Sequence, residues 1–262
     1  MKVLIIGGTS GIGYYVGKEL SKKGHEVLIT THTTKEKTNL EEKLKEEHLN
    51  ITVYKLDVCN KKDIDILDQL TYDVVWLNQA IGVGGAVLSI KEEKIREIYE
   101  TNVFGTILCL QKAYNNMEKR NIKGKIIVTS SLITNFDLKY LGMYASTKAA
   151  LNQLCYTISQ ELKEIKSKIS ITILQLGAYE TGFNQVMINN KETCNNEDST
   201  FYKYNNKITK KQKLLFSLIE KSNYNEINRE IIKLIETNNP KLKIKLPVSA
   251  GIIAKIYQFI KH

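Results

Sequence analysis

The chain has 262 residues, 42% of them hydrophobic and 25% charged, with a formal net charge of +10. That composition can fill a core, and it excludes a mainly disordered, collagen-like or disulfide-scaffold protein. Almost all the positive charge is lysine, with arginine only at Arg96, Arg120 and Arg229. Nucleic-acid readers favour arginine for bidentate contacts, so we expect a solvated basic surface and no nucleic-acid partner.

The predicted elements alternate along the chain. Residues 3–6 are a short apolar run ending in glycines, the pattern of a buried parallel strand. A helix follows over 12–23, Gly24 stops it, and a strand covers 27–30. A helix at 40–47, a strand at 51–55, a short helix at 64–70 and a strand at 74–77 come next. A long helical region over 92–117 leads to a strand at 125–129. A second long helix over 144–165 leads to a strand at 169–175. After Gly177 the pattern changes: residues 182–213 are polar, rich in Asn and Lys, and show no strong period, as in a long loop or lid. Helix returns at 227–236, Pro240 ends it, and 242–246 reads as a last strand. Strands alternating with helices imply an α/β fold, a Rossmann-type doubly wound parallel sheet of about seven strands. We expect one domain over 1–262, with a substrate lid at 182–225.

Cys59, Cys109, Cys155 and Cys194 are far apart and form no CxxC or Cys/His cluster, so no metal is expected. Isolated thiols fit a reducing cytoplasm. The N-terminal apolar run is too short for a signal peptide, and no uncharged stretch has the length of a membrane span. The apolar segment 250–260 is short and interrupted by Lys255. A membrane partner is therefore disfavoured, and this segment is expected to make a buried oligomer or packing contact.

Between the first strand and first helix stands Gly7-Gly8-Thr9-Ser10-Gly11-Ile12-Gly13, a GxxxGxG spacing. Gly7 allows the tight turn, Gly11 lets the backbone approach a pyrophosphate, and Gly13 lets the helix pack closely on the sheet. The free N–H groups of the helix N-terminus face that negative charge. At the end of the second strand no acid appears before Glu36. Thr9, Ser10, Thr31, His32 and Lys35 can together hold a phosphate. This favours NADP as cofactor, with NAD possible.

Tyr144 and Lys148 stand four apart on a predicted helix and share a face. Tyr14/Lys18 and Tyr257/Lys261 have the same spacing. Only Tyr144 has a serine, Ser131, just after a predicted strand and thirteen residues earlier. A neighbouring ammonium favours the phenolate and lowers the tyrosine pKa toward working pH, and a serine hydroxyl can donate to a substrate carbonyl.

On these motifs the chain resembles the short-chain dehydrogenase/reductase family, in its short single-domain branch. The resemblance is good over residues 1–181 and holds only in outline beyond. Ile6 stands where the family's T-G-x-x-x-G-x-G motif has Thr, and the remaining positions of 7–13 match. The resemblance implies that Asp57 and Val58 lie near the adenine. It implies that Asn102, in Thr101-Asn102-Val103-Phe104-Gly105, completes a catalytic set with Ser131, Tyr144 and Lys148 and holds a proton-relay water. It further implies that Lys148 bonds the nicotinamide ribose and that Thr181 contacts the carboxamide. The family's N-N-A-G appears as Leu77-Asn78-Gln79-Ala80, with the first Asn and the Gly among the positions changed; Ala80 still leaves room beside the cofactor ribose. The family's P-G appears as Leu176-Gly177, where Gly177 keeps the close approach.

The expected activity is NAD(P)-dependent interconversion of a carbonyl and a secondary alcohol by hydride transfer. The partner is a small-molecule carbonyl or alcohol, and the assembly a homodimer or homotetramer through the helical regions 92–117 and 144–165. Phe183, Val186, Met187, Phe201, Tyr202 and Tyr204 are expected to give the lid apolar substrate contacts. A nucleotide-sugar epimerase or dehydratase is disfavoured by the length and the glycine spacing. A cofactor-sensing regulator without chemistry is disfavoured by the intact Asn102, Ser131, Tyr144 and Lys148.

Overall fold

A computed structural model of the chain describes residues 1–189 and 195–261. Seven strands form one parallel sheet: β1 (Lys2–Ile6), β2 (Glu26–Thr31), β3 (Ile51–Lys55), β4 (Val74–Leu77), β5 (Lys125–Ser131), β6 (Ser170–Leu176) and β7 (Lys243–Leu246). They lie in the order β3-β2-β1-β4-β5-β6-β7. The order reverses between β1 and β4, so a crevice opens beyond the carboxyl ends of those two strands.

The inner strands are largely apolar on both sides, whereas the edge strand β7 alternates Lys243 and Lys245 with Ile244 and Leu246; side chains alternate between two layers. Val3, Ile5, Val27, Ile29 and Trp76 face one layer. It is covered by α1 (Gly11–Lys22), α2 (Thr34–Glu46) and, downstream, the helix Asn225–Glu236. Leu4, Ile6, Leu28, Val75 and Val128 face the other. There α3 (Lys61–Ile64), α5 (Gly105–Lys119) and α6 (Gly142–Glu164) pack. Each such fully buried side chain contributes about 1.5–3 kcal/mol of transfer free energy.

Helix ends follow local chemistry. Thr33 caps α2, accepting from the Glu36 N–H at 3.1 Å, while the Glu36 carboxylate accepts from the His32 and Thr33 N–H groups. The predicted region 92–117 is α4 (Glu92–Tyr99) and α5 joined by a π-helical turn, Glu100–Phe104, that contains Asn102.

Three expectations change. The helix predicted at 40–47 starts earlier, at Thr34, because the capping box sets its first turn. Ser131 is the last residue of β5 rather than a residue beyond it. The segment read as aperiodic is mainly helical: α7 (Phe183–Asn189) and α8 (Asn205–Ile219) precede α9 (Asn225–Glu236). The buried positions of α8 are Asn205, Ile208, Gln212 and Phe216, a helical spacing in which two polar residues face inward. The C-terminal segment is α10 (Val248–Lys261), and Ile252, Ile253 and Ile256 on it are exposed in the single chain. No helix among the described residues is long and apolar enough to cross a membrane. Cys194 and part of the expected lid, 190–194, lie outside the described residues.

Candidate active site

The glycine turn stands at the reversal of strand order. Gly7 has φ +82°, and a Cβ there would lie 2.7 Å from the main chain of Gln79. Gly11 has φ +55° and faces Thr181, whose Cβ lies 3.0 Å from where a Gly11 Cβ would be. Gly13 lets α1 sit against the Gly7 carbonyl and the Asn78 amide, 2.8 and 2.9 Å from its Cβ position. Side chains at these glycines would fill a cradle that Thr9, Ser10, Gly11 and Ile12 leave open to a cavity. Ser10, the N-cap of α1, makes no side-chain cap bond, so the first N–H groups of α1 remain for an anion. The residues present therefore fit a dinucleotide pyrophosphate.

Beside this cradle a relay of hydrogen bonds ties β4 to β5 and β1. The indole of Trp76 donates to Thr129 Oγ1 at 2.8 Å, and Thr129 Oγ1 donates to Asn78 Oδ1 at 3.0 Å. Asn78 Nδ2 then donates to the Gly7 carbonyl at 2.9 Å. Asn78 and Thr129 thus brace the turn. Gln79, a residue the sequence reading passed over, lines the cavity and donates to Thr106 Oγ1 at 3.0 Å. Its position directly after Asn78 was the available signal.

The cavity holds about 880 Å³ and runs from Gly7 past Ala80, Ser131, Tyr144, Lys148 and Gly177 to Thr181. Ser131 reaches it from the end of β5, and Tyr144 and Lys148 from the first turns of α6. Ser131 Oγ donates to the Leu176 carbonyl at 3.3 Å and accepts from the Ile133 N–H at 3.2 Å. Burial holds the Tyr144 phenol well above its usual pKa, and the nearby Ser131 hydroxyl only partly offsets this. Lys148 is buried, donates to the Thr129 carbonyl at 2.9 Å, and has its Nζ 5.8 Å from the Tyr144 ring centre. Burial lowers its pKa to about 7.

Asn102 sits behind this group and is fully buried. Its Oδ1 accepts from the Ile81 N–H at 2.8 Å, and its Nδ2 donates to the Ile81 carbonyl at 2.9 Å and to Thr147 Oγ1 at 3.2 Å. The asparagine thus fastens the loop after β4 to α6.

Other candidates lie apart. His32 is exposed at the end of β2, its Nε2 3.5 Å from Asp57 Oδ2. Asp57 Oδ1 accepts from the Cys59 N–H, and Val58 packs against Gly105. Thr31 is buried and donates to the Thr33 carbonyl, so it does not face the groove as expected. Lys35 is exposed. Phe183, Val186 and Met187 line the cavity, while Phe201, Tyr202 and Tyr204 are not among its lining residues and stand exposed, on and just before the short turn Tyr202–Tyr204, which buries none of its side chains. The two rival Tyr/Lys pairs are occupied elsewhere. Lys18 pairs with Glu47 at 2.5 Å beside the buried Tyr14, and the Tyr257 ring packs on Phe136 at 5.2 Å.

Comparison with known proteins bears on the family and the fold. Residues 1–192 match the family model described as short chain dehydrogenase. A 3-ketodihydrosphingosine reductase of Bacteroides thetaiotaomicron is 27% identical over 97% of this chain and 90% of its own. A diacetyl reductase of Staphylococcus epidermidis is 28% identical, and the alignment takes in 62% of this chain and 65% of that protein's length. Among solved structures, a short chain dehydrogenase/reductase from Burkholderia phymatum, in complex with NAD, superposes with a TM-score of 0.83 at 15% identity. That match covers 99% of this chain and 94% of the other. With its family model matched from Met1 through the tyrosine–lysine helix, the chain belongs to the short chain dehydrogenase family of oxidoreductases.

Proposed function

We propose that this oxidoreductase is NADP-dependent and interconverts a carbonyl and a secondary alcohol. The observation that carries the reading is that Ser131, Tyr144 and the buried Lys148 line one cavity, which begins at the glycine cradle. Two relatives bear names of ketone reductases, which agrees with it.

The turn 7–13 would hold the pyrophosphate, Asp57 and Val58 the adenine, Asn78 and Ala80 the nicotinamide ribose side, and Gly177 and Thr181 the carboxamide end. Lys148 would bond the ribose. When bound, the dinucleotide supplies or accepts the hydride. The protein moves the proton. Tyr144, kept protonated by burial, gives its phenolic proton to the substrate oxygen in reduction. Ser131 orients that oxygen. A protonated Lys148 offsets the charge left on Tyr144, and a pKa near 7 lets it change state at working pH. Asn102 holds the loop after β4. The π-helical turn around it breaks the regular backbone ladder, and the relay water of this mechanism would lie at that turn.

The cofactor preference rests on the end of β2. Glu36, the first acid there, is committed to the cap of α2, while His32 and Lys35 stay exposed to meet a 2′-phosphate. We further read 1–262 as one domain with a lid over 182–225, a cytoplasmic enzyme, and a homodimer or homotetramer. Side-by-side titration with NADPH and NADH tests the cofactor, followed by turnover on a panel of ketones. We expect NADPH to bind about tenfold tighter, one good charge-assisted contact being worth about 1.5–3 kcal/mol. Tighter binding of NADH would overturn the assignment of His32 and Lys35.

A further inference from the structure

The substrate half of the cavity is mainly apolar from Tyr144 to the solvent. Two helices make this wall in the same way. On α7, Phe183 packs its ring 5.5 Å from that of Tyr144, and Val186, one turn on, is 57% exposed. On α8, Phe216 is buried beside Leu141 and Met187, and Ile219, also one turn on, is 43% exposed. Ile253 of α10 completes the rim at 60% exposed. Val186, Ile219 and Ile253 all line the same cavity whose inner end holds Ser131 and Tyr144. Isolated apolar side chains on a surface need no explanation, but three that continue a cavity wall do. Apart from Lys148, the charged side chains on the wall are matched within the protein: Lys94 with Glu97 at 2.6 Å, and Lys221 with Glu226 at 3.8 Å. The wall therefore offers burial rather than a counter-charge, and its open end sets no stop to chain length.

Resting on the carbonyl-reductase reading above, we infer that the substrate is a long-chain aliphatic ketone or secondary alcohol, its oxygen at Tyr144 and its chain running between α7, α8 and α10 to the rim. Reduction of 2-butanone through 2-decanone with saturating reduced cofactor tests this. We expect kcat/KM to rise about fourfold per methylene, the value for full burial of a CH₂, until the chain reaches the rim. Ile253→Glu, at an exposed position, is expected to flatten the rise for the longer members. A parallel calorimetric titration of the cofactor-loaded protein with the matching 2-alkanols is expected to show affinity rising in the same steps. Chain-length-dependent binding without turnover of any ketone would support the site for apolar chains and refute the reductase reading. Turnover or binding independent of chain length would overturn the inference. So would an Ile253→Glu protein that loses its oligomeric state but keeps the slope, because the rim would then be a contact between copies.

Discussion

Burial sets the charge of Lys148 and couples it to stability. In the folded protein its pKa is about 7, whereas an unfolded lysine titrates near 10.4. Between those values the unfolded chain binds the extra proton, so stability rises with pH there. The penalty for burying this lysine is complete below pH 7 and fades as pH climbs toward 10. In Lys148→Met that contribution is absent. We expect wild type to gain on the variant by up to about 1.4 kcal/mol per pH unit across this window, read by urea unfolding at several pH values. Parallel pH profiles would show that Lys148 is not held neutral by its surroundings. The Tyr144 phenol is held up by the same burial, so it keeps its proton in the same window.

At the scale of elements, Asn102 joins three pieces of chain. Its amide satisfies both main-chain groups of Ile81, on the loop after β4, and meets Thr147 on α6. Asn102→Ala would leave the N–H and carbonyl of Ile81 without these partners. We expect a loss of about 2–4 kcal/mol in unfolding free energy. A loss below about 0.5 kcal/mol would mean that the loop does not depend on this tie. The strands and the glycine turn were legible because short apolar runs and a GxxxGxG turn have few other uses. Helix α8 was not, because Gln212 and Asn205 occupy inward positions and five lysine and asparagine neighbours mask the period. Gln212 reaches the Tyr140 carbonyl at 3.4 Å and Asn205 accepts from the Asn195 amide at 2.7 Å, contacts with residues distant enough that no local pattern announces them.

At the scale of the whole molecule, the site is assembled from residues far apart in sequence on one end of the sheet. Spacing alone could separate Tyr144/Lys148 from its two rivals only through Ser131, and the sheet explains why: β5 and α6 deliver all three to one cavity. The apolar wall from α7 to α10 was not legible, since its members come from three helices and join only in the fold. A second apolar surface lies elsewhere, where Phe104, closing the π-helical turn, and Leu108, in the first turn of α5, are 52% and 44% exposed. The homodimer or homotetramer proposed above would be tested at this face. Leu108→Glu is expected to shift sedimentation toward a smaller species. An unchanged sedimentation coefficient would exclude this face from the assembly.

The measurement that bears most directly on the proposed chemistry is the Tyr144→Phe protein, assayed for ketone reduction and for NADPH binding side by side. Removing only the phenolic oxygen takes away the proton donor and leaves the glycine cradle and Lys148 in place. The expected result is turnover lower by about a thousandfold, within the usual range for loss of a general acid, with the cofactor dissociation constant changed less than about threefold. Turnover close to that of wild type would contradict the role given to Tyr144 and, with it, the mechanism.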